Sequence, residues 1–223
     1  MSDTTMLASL LRSTLLFAEI DDDVLDRITS EAIERSLRRG DVLFAEGDEP
    51  ASLFVVTSGR IAIANKSIDG RESVVALMEP GDLFGEMGLF DGLGRSAEAR
   101  ALEPSDVIEL PYTPVQALYV ERPSELWNVV KLLAARLRNM DEALADSVFL
   151  DVTGRTAKRL LELAGDSDEF TLPVTQEELA GMVGASRERV NKAIASFVKL
   201  GWLAQNERRY MITNREQLSI RSR

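Results

Sequence analysis

The stretch Phe84-Gly85-Glu86-Met87-Gly88-Leu89-Phe90-Asp91-Gly92-Leu93-Gly94-Arg95-Ser96-Ala97 gathers groups suited to holding an anion. Gly85 lets a backbone approach a ligand closely. Backbone N–H groups at the start of a short helical turn suit a phosphate. Arg95 offers a planar cationic fork, and Ser96 a hydroxyl with an N–H beside it. Glu86 offers an acceptor for a sugar hydroxyl. A glycine-rich loop closed by a Glu86–Arg95 ion pair fits the same residues equally well. A second group lies near the C-terminus, where Arg187, Glu188, Asn191 and Lys192 place two cations, an amide and a carboxylate within two helical turns. Arginine can grip guanine O6/N7 with two bonds and glutamate can accept from cytosine N4, each discriminating by about 1–3 kcal/mol. Asn191 and Lys192 could reach either a base or a phosphate.

What is missing narrows the chemistry. The chain has no cysteine and no histidine. Disulfides, thiolate nucleophiles and iron–sulfur ligation are therefore ruled out, along with the commonest general base and metal ligand. No Asp/Glu cluster has metal-loop spacing. No catalytic constellation and no metal site is expected.

The elements that would position these groups follow from the pattern. With Arg187 at 0° and 100° per residue, Val190, Ala193, Ile194, Phe197 and Leu200 fall on one arc, which should pack on the domain. Arg187, Asn191, Glu188 and Lys192 fall between 0° and about 140°. Thr175-Gln176-Glu177-Glu178 reads as a capping box opening the preceding helix. Gly184 stops that helix and Ser186 caps the next, with Gly201 beyond its end. Two short helices joined by a three-residue turn make a helix-turn-helix. Trp202–Ala204 and Arg209–Ile212, around 205–208, read as a hairpin wing.

Upstream, short apolar runs (Val42–Phe44, Leu53–Val56, Ile61–Ala64, Val74–Leu77, Val107–Leu110) alternate with turn signals such as Asp69-Gly70 and Pro80-Gly81-Asp82. That spacing predicts an antiparallel sandwich or barrel. Residues 1–35 read as short helices, one of them carrying Val24, Leu25, Ile28 and Ile33 behind an Asp21–Asp23 cap. From Ser124, Leu126, Val130, Leu133, Leu137, Met140 and Leu144 repeat at 4, 3, 4, 3, 4, the seam expected of a paired helix, though a helix packed on its own domain allows the same strip. Gly154 reads as a break, and Thr156 to Ala164 as a further helix.

At 223 residues with a net charge of −11, the chain looks too acidic for a DNA binder until the charge is divided. Residues 152–223 hold twelve Lys/Arg against nine Asp/Glu, a balance of +3, which leaves −14 for the rest. No apolar run approaches the ~20 residues of a membrane span. The N-terminus carries no basic n-region, so a cytoplasmic protein is expected.

The 84–97 stretch resembles the phosphate-binding cassette of cyclic-nucleotide-binding domains. Together with Phe149-Leu150-Asp151-Val152-Thr153-Gly154-Arg155 and Gly184-Ala185-Ser186-Arg187-Glu188, it makes the chain similar to the Crp/Fnr family, in its cAMP-receptor-like, actinobacterial form. The resemblance runs from about Leu16 to Ile212. It implies an α+β protein with a β-roll (jelly-roll) cyclic-nucleotide-binding domain at 1–122, a dimerisation helix at 123–150 and a winged helix-turn-helix at 151–223. It implies that Gly85, Glu86, Arg95, Ser96 and Ala97, with Arg136, Met140 and Asp141 from the long helix, surround the effector. Thr175, Gln176, Ser186, Arg187, Glu188, Asn191 and Lys192 would meet double-stranded DNA, at a half-site like TGTGA in an inverted repeat. The implied partners are a second copy of the chain, a small-molecule effector and RNA polymerase. One departure concerns the base end of the effector site. The family pattern there is Thr followed by Ser or Asn, and this chain has Met140 and Asp141. The effector expected is cAMP, another cyclic mono- or dinucleotide, or none. The competing reading is a nucleotide-binding regulatory module acting on a protein partner.

Overall fold

The computed structural model describes residues 3–66 and 72–223, so the turn expected at Asp69-Gly70 lies outside the described residues. The chain divides into two compact units, residues 1–65 with 75–138 and residues 66–74 with 139–223.

The first unit opens with helices α1 (Asp3–Ser13) and α2 (Asp22–Ser30). Strands β1 (Ile33–Leu37), β2 (Val42–Phe44), β3 (Ser52–Ser58), β4 (Ile61–Lys66), β5 (Glu72–Met78) and β6 (Leu83–Phe84) follow. A short helix α3 (Met87–Asp91) separates them from β7 (Glu98–Ala101) and β8 (Ser105–Pro111). Helix α4 (Tyr112–Glu121), one 3-10 turn and helix α5 (Leu126–Phe149), of which this unit takes the part up to residue 138, complete the run. Two four-stranded sheets, ordered β1-β8-β3-β6 and β2-β7-β4-β5, form the roll.

The run Leu53–Val56 is apolar without alternation because both of its faces are buried. Leu53 and Val55 pack with Leu25 and Ile28 of α2, Leu118 of α4, and Leu16 and Phe17 of the turn between α1 and α2. Phe54 and Val56 pack inside the roll with Phe84, Ala99 and Val107. Ile33, expected on a helix, begins β1 opposite Glu109 and is 46% exposed. Tyr112–Glu121 gave no sequence signal of its own.

On α5, the seam residues Leu126, Val130, Leu133, Leu137, Met140 and Leu144 are all exposed, from 42% to 68%. A single chain thus leaves this whole stripe uncovered.

In the second unit, α6 (Val152–Ala164) starts two residues before Gly154, so that glycine is not a break. Asp151 caps α6 by accepting from Gly154 N at 2.8 Å. A Cβ on Gly154 would lie 3.0 Å from the Arg221 carbonyl oxygen, so a bare backbone is what lets the C-terminal helix α9 (Arg215–Arg221) pack there. Between them lie β9 (Glu169–Thr171), α7 (Gln176–Val183), α8 (Arg187–Lys199), β10 (Leu203–Asn206) and β11 (Arg209–Ile212). The wing is a three-stranded sheet ordered β10-β11-β9. Its turn is tighter than expected: Asn206 pairs with Arg209, and Glu207 takes the left-handed conformation at φ 54°. Among the described residues no helix is long and apolar enough to cross a membrane, and no acidic cluster could hold a metal ion.

Candidate ligand site and nucleic-acid interface

The cassette is built by a strand end, a turn and an inserted arginine. β6 stops at Phe84, and Gly85 turns at φ 79°, where a Cβ would sit 2.7 Å from Arg95 Nη1. That space belongs to the Arg95 side chain. The Arg95 backbone is fixed by the 45–49 loop, with Arg95 N donating to Asp48 O at 2.9 Å and Gly47 N donating to Arg95 O at 2.8 Å.

Arg95 is 7% exposed. Its Nη1 donates to Gly85 O at 2.7 Å and to the Tyr112 hydroxyl at 3.3 Å, and Nη2 donates to Ser52 O at 2.7 Å. Its Cζ lies 4.1 Å from the Phe44 ring centroid and 5.4 Å from that of Phe54. Every one of these partners is neutral. Burial pulls the guanidinium below its ordinary pKa, with the Tyr112 hydroxyl and more distant Glu109 and Asp48 opposing. Burying a cation beside dipoles alone is expensive. Tyr112 also donates to Gly85 O, and burial raises its own pKa.

The alternative of a Glu86–Arg95 pair is not what forms. Glu86, fully buried, pairs with Arg136 of α5, and Arg136 Nη2 also donates to Leu83 O at 3.2 Å. Two polar atoms of the cassette, Glu86 Oε2 and Arg95 Nε, are buried without a hydrogen-bond partner among the described residues. Such orphans are rare in folded proteins and ask for an explanation. One acceptor and one cationic donor are what a sugar hydroxyl and a phosphate oxygen would satisfy.

The structure thus brings Gly85, Glu86, Arg95 and Arg136 together. Ser96 is exposed, its Oγ 3.5 Å from Met87 Sδ, and Ala97 is buried. Met140 and Asp141 are exposed on α5. Sequence reasoning missed Tyr112, Ser52, Phe44 and Phe54. The phenylalanines carried a signal, since strand alternation aims Phe44, Phe54 and Phe84 at one interior, where they form a cluster with centroids 5.5–6.2 Å apart.

In the second unit the capping box forms: Glu178 N donates to Thr175 Oγ1 at 3.2 Å and Thr175 N to Glu178 Oε2 at 2.6 Å. Gln176 is turned inward, its Nε2 donating to the Tyr210 hydroxyl at 2.7 Å, and its Oε1 is buried without a partner among the described residues. Gly184, at φ 66°, ends α7 and a three-residue turn leads to α8. Ser186 has the extended backbone of a cap, but its hydroxyl makes no capping bond. Val190, Ala193, Ile194 and Phe197 are buried at 4% exposure or less. Leu200, expected among them, is 56% exposed because it stands at the helix end, outside the last full turn. Arg187, Glu188, Asn191 and Lys192 are all exposed. Arg189, which the sequence reading passed over, is also exposed, but at 200° on the same wheel it lies outside that arc.

A β-roll with a cation-bearing cassette, on one chain with a winged helix-turn-helix, defines a ligand-sensing DNA-binding regulator. Residues 34–122 match the cyclic nucleotide-binding domain family and residues 154–220 the Crp-like helix-turn-helix domain family. The CRP-like cAMP-activated global transcriptional regulator of Mycobacterium tuberculosis is 34% identical over 215 residues, covering 93% of this chain and 96% of that protein. Among solved structures, the c-di-GMP responsive global regulator CLP of Xanthomonas campestris superposes with a TM-score of 0.74 at 26% identity, over 86% of this chain and 99% of that one. FixK2 of Bradyrhizobium japonicum shares the fold, with a TM-score of 0.78 at 21% identity over 86% of this chain and 98% of that one. The chain belongs to the Crp/Fnr family of transcriptional regulators. Like these relatives it is a regulator and not an enzyme.

Proposed function

We propose that the chain acts as a homodimeric transcription factor in the cytoplasm, controlled by a cyclic nucleotide and reading an inverted-repeat operator. The observation that carries this is the Arg95 guanidinium, buried among neutral acceptors with Nε unsatisfied, beside the orphaned Glu86 Oε2. An anionic phosphodiester supplies the missing counter-charge. Arg95, with Gly85, Ser96 and Ala97 around it, holds the phosphate. Glu86 takes a sugar hydroxyl while Arg136 keeps its carboxylate oriented. Met140 and Asp141 stand at the sequence positions that the family pattern gives to the residues meeting the base.

The M. tuberculosis relative is named as cAMP-activated and the X. campestris structure as c-di-GMP responsive. We take cAMP as the first candidate. Met140 has no hydrogen bond to give an adenine, which keeps another cyclic mono- or dinucleotide as the second reading.

The uncovered α5 stripe fits a second copy of the chain, since soluble monomers seldom expose apolar strips of this length. To enter successive major grooves of one duplex, the two recognition helices of such a dimer must lie about 34 Å apart, one turn of DNA. Arg187 and Glu188 read base edges, Asn191 and Lys192 reach a base or a phosphate, and Ser186 with the start of α7 at Thr175 and Gln176 lies against the backbone. Residues 1–122 then serve as sensor, 123–150 as dimer helix and 151–223 as reader, and the bound factor meets RNA polymerase through an exposed surface.

Calorimetric titration with a panel of cyclic mono- and dinucleotides tests the effector, and gel shift with an inverted-repeat duplex tests the DNA reading. Binding of one nucleotide that also tightens operator binding is expected. Operator binding indifferent to every nucleotide would overturn the effector control, and nucleotide binding without operator binding would point to a protein partner.

A further inference from the structure

The heptad register of α5 carries an inference that rests on the dimer reading and goes past it. With Val130, Leu137 and Leu144 at a and Leu126, Leu133 and Met140 at d, the g flank holds Val129, Arg136 and Ala143, and the e flank Trp127, Ala134, Asp141 and Val148. The g flank is the one laid against the β-roll: Val129 is 5% exposed, and Arg136 is bonded to Glu86 and the Leu83 carbonyl. The e flank is free, with Trp127 70% and Val148 67% exposed and Asp141 exposed.

Two reading heads that face one duplex across a two-fold axis need the α5 helices parallel. In a parallel pair, g of one helix meets e of the other five residues on. Arg136 and Asp141 are five residues apart and opposite in charge. We infer that Asp141 forms an interhelical ion pair with Arg136 of the partner subunit, so that the cation orienting Glu86 is shared between the ligand site and the dimer seam. The Arg136 side chain is about one-third exposed. Each site would then be completed by a carboxylate from the other subunit. Met140, one residue earlier at d, stays in the seam, so the two departures from the family pattern both serve the paired helices.

The absence of cysteine makes the test clean. Leu144→Cys, near the C-terminal end of the seam, should oxidise to a disulfide dimer only if the helices pair in parallel. In the full chain, dimer dissociation constants are measured by sedimentation for wild type, Arg136→Gln, Asp141→Asn and the double variant. Beyond the two single effects, a coupling of about threefold is expected at low salt, the size of a partly exposed ion pair, shrinking at 1 M salt. A disulfide dimer with no coupling overturns the ion pair and leaves the dimer standing. A monomer without a disulfide overturns the dimer reading itself.

Discussion

Replacing Arg95 by glutamine separates the two things this residue does. In the ligand-free protein the guanidinium makes three hydrogen bonds to neutral acceptors and stacks on Phe44. Those bonds, charge-assisted because the donor is a cation, contribute about 1.5 kcal/mol each and the stacking about 1 kcal/mol. Against them stands the desolvation of a cation with no carboxylate beside it, an effective penalty of several kcal/mol. The terms nearly cancel, so Arg95→Gln should change the stability of the ligand-free β-roll by less than about 2 kcal/mol. Toward the effector the terms do not cancel. Two charge-assisted bonds to a phosphate are worth about 1.5–3 kcal/mol each, and losing them weakens binding at least ~100-fold. Thermal unfolding reads both effects. At 100 times the wild-type Kd, a ligand stabilises by about 2.7 kcal/mol, or roughly 5–11 °C at ~2–4 °C per kcal/mol for a chain of this size. After a 100-fold loss of affinity the same concentration gives about 0.4 kcal/mol, near 1 °C. A variant that keeps the full ligand shift would refute the assignment of Arg95 as the anion holder, and one that unfolds without ligand would refute the cancellation.

Three further outcomes follow from named contacts. Arg187→Ala should weaken operator binding by about 5- to 150-fold, the 1–3 kcal/mol of a two-bond base contact, with a smaller loss on random duplex; gel shifts on both duplexes show it, and an equal loss on both would reduce Arg187 to a phosphate contact. Thr175→Ala removes the cap of α7 and should lower stability by about 0.5–2 kcal/mol, read as a lower urea midpoint at unchanged slope. Asp151 is held below its ordinary pKa by the Gly154 N–H and by Arg221, with burial opposing. A depressed carboxylate stabilises above its unfolded value near 3.8 and loses that contribution as pH falls through the lower folded value. Acid unfolding below about pH 4 should therefore be shallower in Asp151→Asn than in wild type; identical acid limbs would show the pair to be inert.

The recognition helix was legible because it is strongly amphipathic. A rotation of 100° per residue separated Val190, Ala193, Ile194 and Phe197 from Arg187, Glu188, Asn191 and Lys192, and the structure buries the first group and exposes the second. The α5 stripe was legible for the same reason. Elements fixed by distant pairing were not. Strand β9 is three residues long, and it exists because Phe170 pairs with Tyr210 and stacks on its ring 5.6 Å away. Helix α9 buries one apolar side chain fully, Leu218, and is held by its fit to α6 at Gly154. Strand β1 is exposed along four of its five residues, so no alternation marks it, and Ile33 reads as the next turn of α2. At the cassette, the types Gly85, Glu86 and Arg95 pointed to a polar cluster, whereas which carboxylate meets which guanidinium depended on the roll closing. Tyr112 carries no motif; it reaches the Gly85 carbonyl only because β8 ends there.

The peptide between α5 and α6 is bridged by a cluster that should respond if the helix-turn-helix turns on α5. Lys158 Nζ on α6 donates to Glu142 Oε1 at 2.6 Å and lies 2.7 Å from Asp146 Oδ2, both on α5. Its side chain is 19% exposed and that of Asp146 14%, so this contact is better shielded than a surface pair, while Glu142 is open at 66%. Arg221 on Asp151 and Arg215 on Asp168 and the Gly165 and Ser167 carbonyls brace α6 from α9 at both ends. With α6 braced in this way, a turn of the reading domain would be taken up at 150–151 and would separate Lys158 from α5. An effector preferring one arrangement 100-fold supplies only about 2.7 kcal/mol, so a contact worth about 1–2 kcal/mol weighs heavily in the balance. Lys158→Met should therefore change the ratio of operator affinities with and without cAMP by about 5- to 30-fold, while the affinity for cAMP of a chain without DNA changes less. A ratio equal to wild type would reduce the cluster to helix packing and move the pivot elsewhere.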